Sequence, residues 1–358
     1  MKNGICSALL VFVLVSIGSA RAHEPAQGAY RLVDRFSVGG QGGWDDLSVD
    51  PGSHRLFISR SDRVIVLDAN SGKSLGVIPN TAGVHGIALA PGLGRGYTSN
   101  GHIDSVTEFD LATLKVVRQL GPTGKNPDAI LYDPFSRRVF TFNGHSDNAS
   151  VIDARSGKVI TTIPLDGKPE FAVSDGAGRI YVNIEDKAEI TEIDSHAAKA
   201  LVTWPLTGCE EPSGLAIDIK HRRLFSVCQN HRMVVVDAQN GHVVATLPIG
   251  AGPDGAGFDA ERGLAFSSNG RDGTLTVVHE DDADHYRVLA NTPTQKSART
   301  MTLDPTTHRI YLSAATFGPM PAGDHGQGHK RPPLVPDSFT ILVVGREAMA
   351  QDHPASGR

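Results

Sequence analysis

Short apolar segments alternate with polar turns along the chain, and the alternation repeats. Each unit starts with an apolar segment that ends in a turn residue, and a basic residue and an aromatic-containing segment follow. A Val/Ile-rich segment ending in Asp comes next, and then a fourth apolar segment. The turn residues recur at intervals of 40 to 45 positions: Asp50, Ala90, Asp133, Asp175, Asp218, Asp259 and Asp304. Such regular spacing of β-prone segments indicates a structural repeat.

The composition of the segments predicts strands and tight hairpins. β-Branched and aromatic residues dominate the second segments, and pairs such as Ser156-Gly157 and Asn240-Gly241 favour turns between the third and fourth strands. Four strands repeated seven times predict an all-β fold, a seven-bladed β-propeller of four-stranded blades. The second strands are expected to begin at Arg55, Arg95, Arg138, Arg179, Arg223, Gly263 and Arg309. The third strands are expected to end at Asp68, Asp110, Asp153, Asp194, Asp237 and, in the variant sixth unit, His279.

The seventh unit has only three predicted strands, near Met301, Ile310 and Phe339. The segment from Tyr30 to Val38 at the other end of the chain has the composition of the missing strand. Pairing it with the last unit closes the ring and leaves no open sheet edge. We therefore expect one propeller domain over residues 23–345, followed by a disordered polar tail, 346–358.

Several segments resemble the repeats of a known family. Tyr97-Thr-Ser-Asn100, Phe140-Thr-Phe-Asn143 and Tyr181-Val-Asn183 are similar to the YVTN-type repeats of exported, YncE-like seven-bladed propellers. The resemblance covers the chain from about Tyr30 to Val344. It implies the propeller architecture but no particular activity, because propellers of this kind serve binding, scaffolding and several chemistries. No catalytic signature of the family can be assigned to residues of this chain.

Residues 1–22 have the composition of a secretory signal peptide. Lys2 precedes an apolar run at positions 8–17, and Ala20-Arg21-Ala22 forms a small-x-small cleavage site. Ten apolar residues are too few for a membrane span, which needs about 20, so we expect a cleaved signal, with an uncleaved anchor as the alternative. The mature protein would have no membrane span and would be periplasmic or secreted.

Composition and charge narrow the range of folds and functions open to the chain. The chain has 39 Gly and 21 Pro among 358 residues, which is typical of many turns and excludes a helical bundle. Removing Lys2 and Arg21 with the signal takes the net charge from −5 to −7, which disfavours nucleic-acid binding. Cys209 and Cys228 would remain, and an oxidising compartment would permit a disulfide between them; two unpaired thiols are the alternative.

The propeller geometry brings one position of each blade to the mouth of the central channel. This position lies five residues before each turn residue, and in the sequence these positions carry Asp45, His85, Asp128, Glu170, Ser213, Asp254 and Arg299, with Asp46 and Glu211 adjacent. Four carboxylates, an imidazole and a guanidinium would converge there. They predict a pocket for a small ligand, a cation or a protein partner, and a divalent metal would suit oxygen ligands with one His. Alternatively, these are ordinary loop residues around a water-filled channel.

Other polar loops should share this face. Asn-Gly turns carry His102 and His145, and His231 lies in a similar loop; turn formation explains these residues, and a metal or haem role is left open. The long insertion at 315–337 should cover the channel mouth, as a lid or as a disordered loop. Its polar residues include Asp324, His325 and His329.

No sequence signature of an activated nucleophile, a phosphate-binding loop, a haem attachment site or a zinc-protease helix occurs in the chain. The sequence therefore favours a non-catalytic binding protein. The alternative is a lactonase-like hydrolase or a metal-assisted oxidoreductase that uses His85 and the carboxylates at the same face.

Overall fold

A computed structural model describes residues 29–319 and 332–346 of the chain. The predicted signal peptide, 1–22, lies outside the described residues, as does the predicted tail beyond Arg346. The described part forms seven separate four-stranded antiparallel sheets. They follow one another along the chain, and inner strands of successive blades pack side by side. The protein is a seven-bladed β-propeller, as the repeat predicts.

The first three complete blades follow strand β1 (Arg31–Ser37). Blade one contains β2 (Leu47–Asp50), β3 (Arg55–Arg60), β4 (Arg63–Asp68) and β5 (Ser74–Ile78). Blade two contains β6 (Val84–Ala90), β7 (Arg95–Asn100), β8 (Ser105–Asp110) and β9 (Val116–Leu120). Blade three contains β10 (Pro127–Asp133), β11 (Arg138–Asn143), β12 (Asn148–Asp153) and β13 (Val159–Pro164).

The remaining blades continue the pattern. Blade four contains β14 (Pro169–Ser174), β15 (Arg179–Ile184), β16 (Glu189–Asp194) and β17 (Lys199–Pro205). Blade five contains β18 (Pro212–Asp218), β19 (Arg223–Cys228), β20 (Arg232–Asp237) and β21 (Val243–Pro248). Blade six contains β22 (Pro253–Asp259), β23 (Leu264–Asn269), β24 (Thr274–Asp282) and β25 (His285–Pro293). Blade seven contains β26 (Met301–Asp304), β27 (Arg309–Ala314) and β28 (Thr340–Gly345). Single turns of 3₁₀ helix occur at Pro91–Leu93, Gly101–Ile103 and Glu185–Lys187.

The ring is closed by the amino-terminal strand. Blade seven has the order β1-β28-β27-β26, and β1 pairs antiparallel to β28 from Arg31 opposite Gly345 to Ser37 opposite Thr340. Phe36 is the buried residue of β1 and packs in the cluster that joins blades seven and one. The predicted closure by the segment 30–38 is confirmed.

Tyrosines of the second strands connect neighbouring blades. The hydroxyl group of Tyr97 donates to the Ala154 carbonyl of the next blade, and Tyr311 donates in the same way to Ala69, at 2.9 Å. Both rings are buried, so each residue combines apolar packing with a satisfied hydroxyl group. This pairing gives a physical reason for an aromatic residue at this position of the repeat.

Asparagines that end several second strands support the following hairpin. The Asn143 amide donates to Asn148 Oδ1 and Ser150 Oγ at 2.7 and 3.0 Å, and its oxygen accepts from Thr141. Asn100 and Asn269 make the corresponding bonds in blades two and six. All three are fully buried, so the Asn of the YVTN-like segments has a structural role here.

Blade six departs from the prediction in two places. Its second strand begins at Leu264, because Gly263 has a positive φ of 60° and belongs to the preceding turn. Its third strand does not end at His279 and continues to Asp282. The Asp282 carboxylate then closes a hairpin by accepting from the backbone N–H groups of Asp284 and His285. The hairpin between β24 and β25 is therefore longer than those of the other blades.

Candidate functional site

Irregularities in the inner strands position the side chains at the channel mouth. In blades two to six the pairing between first and second strand shifts near its start, between Pro127 and Ile130 in blade three and between Pro169 and Ala172 in blade four, for example. Such a bulge interrupts the alternation of side chains and can re-aim one of them. The five shifts include the positions of His85, Asp128, Glu170, Ser213 and Asp254.

The seven positions chosen from the repeat line one cavity of about 360 Å³. Asp46 lies beside them in the wall, whereas Glu211 is exposed on the preceding loop, has a φ of +46° and is not among the lining residues. Further polar lining residues were not selected by the spacing: Lys168, Glu185 and Gln229. The cavity lining from the repeat positions comprises Asp45, His85, Asp128, Glu170, Ser213, Asp254 and Arg299.

His85 lies between two carboxylates from neighbouring blades. Its Nδ1 is 2.6 Å from Asp45 Oδ2 and 3.6 Å from Asp128 Oδ1. Burial opposes the charge on the imidazole, but the hydrogen bond to Asp45 and the charge of Asp128 outweigh it and raise the pKa of His85 to about 9. Burial also opposes the charge on Asp45, yet His85 and Arg299 lower its pKa. His85 is therefore an imidazolium at neutral pH.

Arg299 connects blade seven to its neighbours on both sides. Its guanidinium donates to Asp45 Oδ1 at 2.9 Å and also to the Asp254 carboxylate. The charge of Asp254 raises the pKa of Arg299, whereas burial raises the pKa of Asp254 itself. Asp45 thus accepts from cations on two sides, His85 and Arg299.

Lys168 forms a second charged group in the opposite wall. Its Nζ donates to Glu170 Oε1 at 2.6 Å and to the Glu185 carboxylate. Burial and the charge of Asp128 raise the pKa of Glu170 to about 8 despite this contact. Lys168 could have been found from the sequence, because it lies two residues before Glu170. Glu185 directly follows the second strand of the same blade.

Carboxyl groups outnumber basic groups in the cavity. Burial raises the pKa of Asp128 to about 6 and that of Asp46 well above its usual range. The lining holds six carboxyl groups and three basic side chains, so full ionisation would leave a net charge of −3. The raised pKa values of Asp46, Asp128 and Glu170 mean that these acids ionise more readily beside an additional positive charge, so the cavity is suited to a cation. The carboxyl groups belong to Asp45, Asp46, Asp128, Glu170, Glu185 and Asp254.

Side chains of the second strands hold the backbone of the site residues. Ser99 Oγ donates to the Asp128 carbonyl, and Ser268 Oγ donates to the Arg299 carbonyl. In blade four the Asn183 amide donates to the Ser213 carbonyl at 2.7 Å. These buried donors reach from one blade to the next. They fix the backbone of the cavity wall before any ligand enters.

A disulfide and a second cavity lie at the same face. Cys209 and Cys228 form a disulfide in blade five, with Cα atoms 5.4 Å apart. The second cavity, of about 460 Å³, shares Arg299 and Asp254 with the first and has Trp44 and Phe317 in its wall. Phe317 belongs to the insertion predicted to cover the mouth, whose residues Asp324, His325 and His329 lie outside the described residues.

The loop histidines do not contribute to the cavity. His102, His145 and His231 are exposed and are not among its lining residues. Within the described residues, two groups of three side chains have potential metal-ligating atoms within 4.8 Å of one another. One is Asp45, His85 and Asp128 at the mouth; the other is Asp218, His221 and Glu280 at the opposite rim.

The basic residues that begin the second strands are paired at that opposite rim. Arg95 donates to Asp110 at 2.7 Å, and Arg179 donates to Asp194 at 2.9 Å. Arg138 donates to the carbonyl groups of Ser195 and His196. These contacts satisfy the guanidinium groups within the protein, and they explain why Arg recurs in the repeat.

No family profile matches the chain, and no curated protein matches it in sequence. Solved structures are similar in fold. A chain of the Kuenenia stuttgartiensis hydrazine synthase has a TM-score of 0.67 and 17% identity over 77% of this chain and 94% of that one. U3-55K has a TM-score of 0.71 and 9% identity over 87% of this chain and 98% of its own.

The WD40 repeats of RRP9 give the same TM-score, 0.71, with 9% identity over 89% of this chain and 99% of theirs. At such identities the likeness concerns architecture alone. Among the described residues, no helix has the length and apolar character to cross a membrane. The chain is a seven-bladed propeller with a WD40-like fold.

Proposed function

We propose that the protein binds a small cationic ligand at the mouth of its central channel and performs no catalysis on it. The observation that carries the proposal is the convergence of one polar position from each of seven blades on a single cavity. Six carboxyl groups face three basic ones there, and buried carboxyl groups bind a cation more readily than they bear uncompensated charge.

The arrangement of Asp128 and Glu170 favours a cation in particular. Asp128 is half-buried, and within the described residues its ion-pair partner is the His85 ring at 3.6 Å. Glu170 is held by Lys168, but its pKa remains raised to about 8. A ligand ammonium group or a divalent ion between them would balance the charge of Asp128 and replace the proton of Glu170.

The polar groups are poorly arranged for catalysis. A general base must have a free lone pair near the substrate, and His85 is protonated and directed at Asp45. Ser213 is the hydroxyl residue of the lining, and its Oγ donates to the Pro253 carbonyl at 3.3 Å. Within the described residues, the Ser213 hydroxyl group thus has no hydrogen bond to a base that would activate it as a nucleophile.

Calorimetry and thermal shift with defined cations test the proposal. The probes are Mg²⁺, Ca²⁺, Mn²⁺, Zn²⁺, spermidine and choline, with glucose as a neutral hydroxylated comparison. We expect at least one cation to bind, with an affinity at least about tenfold weaker in the Asp128→Asn/Glu170→Gln variant. The control is Asp147→Asn, an exposed carboxylate on a loop of the same face. Equal affinity in the double variant, or no binding of any probe, would overturn the proposal.

One observation favours a second candidate, metal-assisted chemistry by a lactonase-like hydrolase or an oxidoreductase. Asp45, His85 and Asp128 offer ligating atoms within 4.8 Å of one another, a donor set that suits a borderline divalent ion. A metal would have to displace the proton of His85. Stoichiometric metal in the purified protein, together with lactone hydrolysis that Asp45→Asn and His85→Gln abolish, would establish this alternative.

We further propose that the protein is exported and belongs with the YncE-like propellers, with a mature chain that starts after residue 22 and a propeller domain that ends near residue 345. The leader composition, the YVTN-like segments and the disulfide support this proposal. Cell fractionation and mass spectrometry of the mature amino terminus test it. A cytoplasmic protein that retains residues 1–22 would contradict it.

A further inference from the structure

The long hairpin of blade six brings an additional carboxylate to the rim opposite the cavity. Strand β24 passes the position where the repeat predicts its end and carries Glu280 one residue further. There Glu280 lies beside the turn between β18 and β19 of blade five, which contains Asp218 and His221. The cluster therefore joins two blades, and it depends on the one blade that departs from the repeat.

The three side chains point their polar atoms at one another. His221 Nδ1 is 2.8 Å from Asp218 Oδ2 and 3.4 Å from Glu280 Oε1. The side chains of Asp218 and Glu280 are each only 3% exposed, whereas that of His221 is 31% exposed. The ligating atoms of all three lie within 4.8 Å of one another. The cluster is buried on two sides and open to solvent along the imidazole.

The polar groups of the cluster are incompletely satisfied by the protein. His221 Nδ1 is buried and makes no hydrogen bond of normal geometry despite its short distance to Asp218. The Glu280 carboxylate has the Tyr286 hydroxyl group at 3.5 Å, the outer limit of a hydrogen bond. Asp218, in contrast, accepts from the backbone N–H groups of Lys220 and His221. A buried carboxyl group with so weak a donor either retains a proton or takes a further positive partner.

A neighbouring cluster of the same residue types has a different geometry. His308 directs Nδ1 at Asp259, at 2.7 Å, and its other nitrogen, Nε2, at Glu261, at 3.4 Å. The two carboxylates that face His308 lie at different nitrogens of its imidazole, and the Glu261 side chain is 78% exposed. These donors do not converge on one point. The convergence around His221 is therefore not a general feature of the rim.

We propose that Asp218, His221 and Glu280 bind a divalent metal ion of the zinc class that joins blades five and six. One imidazole nitrogen and two carboxylate oxygens are ligands that Zn²⁺ accepts, and the open side leaves a position for water. The ion would neutralise the two buried carboxylates and cross-link the blades. The site is independent of the channel mouth, since Asp218 and Ser213 lie at opposite ends of β18.

Zn²⁺ titration of the full-length, EDTA-treated protein tests the site. The background is Asp128→Asn/Glu170→Gln, which weakens the cation binding proposed for the mouth. We expect Zn²⁺ to bind and to raise the melting temperature, and Glu280→Gln to weaken binding at least about tenfold and remove the shift. Glu261→Gln, in the cluster whose donors diverge, should leave both unchanged. X-ray absorption should show one imidazole and two carboxylate ligands.

Glutamine has the shape of a protonated glutamate, so the Glu280→Gln variant should fold. It distinguishes metal binding by the cluster from a proton shared between the two carboxyl groups. If the carboxylates merely share a proton, the parent protein with the altered mouth will not bind Zn²⁺ at this rim, and the variant will match it in melting temperature at neutral pH. That result, or Zn²⁺ binding that Glu280→Gln leaves unchanged, would overturn the proposal. Neither outcome bears on cation binding at the mouth, because the mouth residues are the same in both proteins.

Discussion

Arg299 of blade seven donates to Asp45 of blade one at 2.9 Å, although 254 positions separate them in the chain. The same guanidinium also reaches Asp254 of blade six. One side chain thus connects three blades at the point where the ring closes. The ion pairs of the mouth therefore contribute to the ring as well as to the cavity.

Replacing Arg299 should destabilise the protein more than replacing an exposed arginine. Arg299→Gln leaves the carboxylates of Asp45 and Asp254 facing each other without their shared cation. Breaking a buried pair costs roughly 3–5 kcal/mol, and because Arg299 is 30% exposed we expect about 2–3 kcal/mol. Urea unfolding measures the difference.

Arg287→Gln is the matched control, because the Arg287 side chain is 56% exposed and pairs at 3.0 Å with Asp281, which is 40% exposed. A surface pair of this kind contributes about 0–1 kcal/mol. Equal losses in the two variants would show that Arg299 has no special role in closing the ring.

The unfolding free energy should decrease as the pH rises from about 5 to 9. The pKa of Glu170 is raised from 4.5 to about 8, so its ionisation costs more in the folded state, and this cost grows across that window. The pKa of His85 is raised from 6.5 to about 9, so its contribution is complete below 6.5 and is lost as the pH passes 9. Both groups act in the same direction, and the decrease should be steepest where their windows overlap, between about pH 6.5 and 8.

Glu170→Gln removes one of the two titrations. Its urea midpoint should therefore change less between pH 5 and 8 than that of the wild type, while the change above pH 8, due to His85, should remain. If the variant shows the same pH dependence as the wild type, Glu170 does not retain its proton in the folded protein.

Asn143 should be required for stability rather than for ligand binding. Asn143→Ala removes hydrogen bonds with Thr141, Asn148 and Ser150 and leaves the hydroxyl groups of Thr141 and Ser150 buried without this partner. We expect a loss of about 2–3 kcal/mol in urea unfolding, and unchanged affinity for any cation that the mouth binds. Asn70→Ala, at an exposed turn, should change stability by less than about 0.5 kcal/mol. An effect of Asn143→Ala on affinity without loss of stability would contradict this assignment.

The spacing of the repeat predicted the blades and the positions of the cavity lining, because each blade places equivalent residues at equivalent points around the axis. It could not predict the bulges that aim these side chains, since Pro127 and Pro169 are also ordinary loop residues. Glu211, two residues before Ser213, was included, but it is exposed and does not line the cavity. Lys168 holds the corresponding position before Glu170 and was missed, because the spacing does not say which side chain at this position turns inward.

The contacts across the ring could not be derived from the spacing either. The sequence repeat places Arg299 and Asp45 at the channel mouth, but it does not predict which neighbouring blades their side chains contact. The same limit applies to Glu280: the sixth unit was recognised as variant, yet its longer hairpin depends on the turn formed by Asp282. The repeat predicts where equivalent residues of the blades lie, whereas the contacts of a blade that departs from the repeat are seen only in the structure.

Removing the disulfide should lower stability without changing the fold. The Cys209–Cys228 bond closes a loop with a sequence separation of 19, for which loop entropy gives about 3 kcal/mol. Both sulfur-bearing side chains are buried, so Cys209→Ala/Cys228→Ala is the appropriate variant. Urea unfolding should show this loss under oxidising conditions and almost no difference from the wild type in excess reductant. A difference that persists in reductant would indicate packing rather than the cross-link.

Strand β1 should be required for a closed ring, and Phe36 should be its main apolar contact. Phe36 is 5% exposed and packs with Ile341 and Ala69, whereas Leu32 on the same strand is 38% exposed. Phe36→Ala should destabilise the protein by about 3–4 kcal/mol, because it removes a buried ring at the seam between blades seven and one. Leu32→Ala should cost less than about 1 kcal/mol.

Hydrogen exchange should also show β28, from Thr340 to Gly345, losing protection in Phe36→Ala before the inner strands do, because β28 then lacks a firmly held neighbour. Equal protection of β28 in both variants would contradict a closure that depends on this contact.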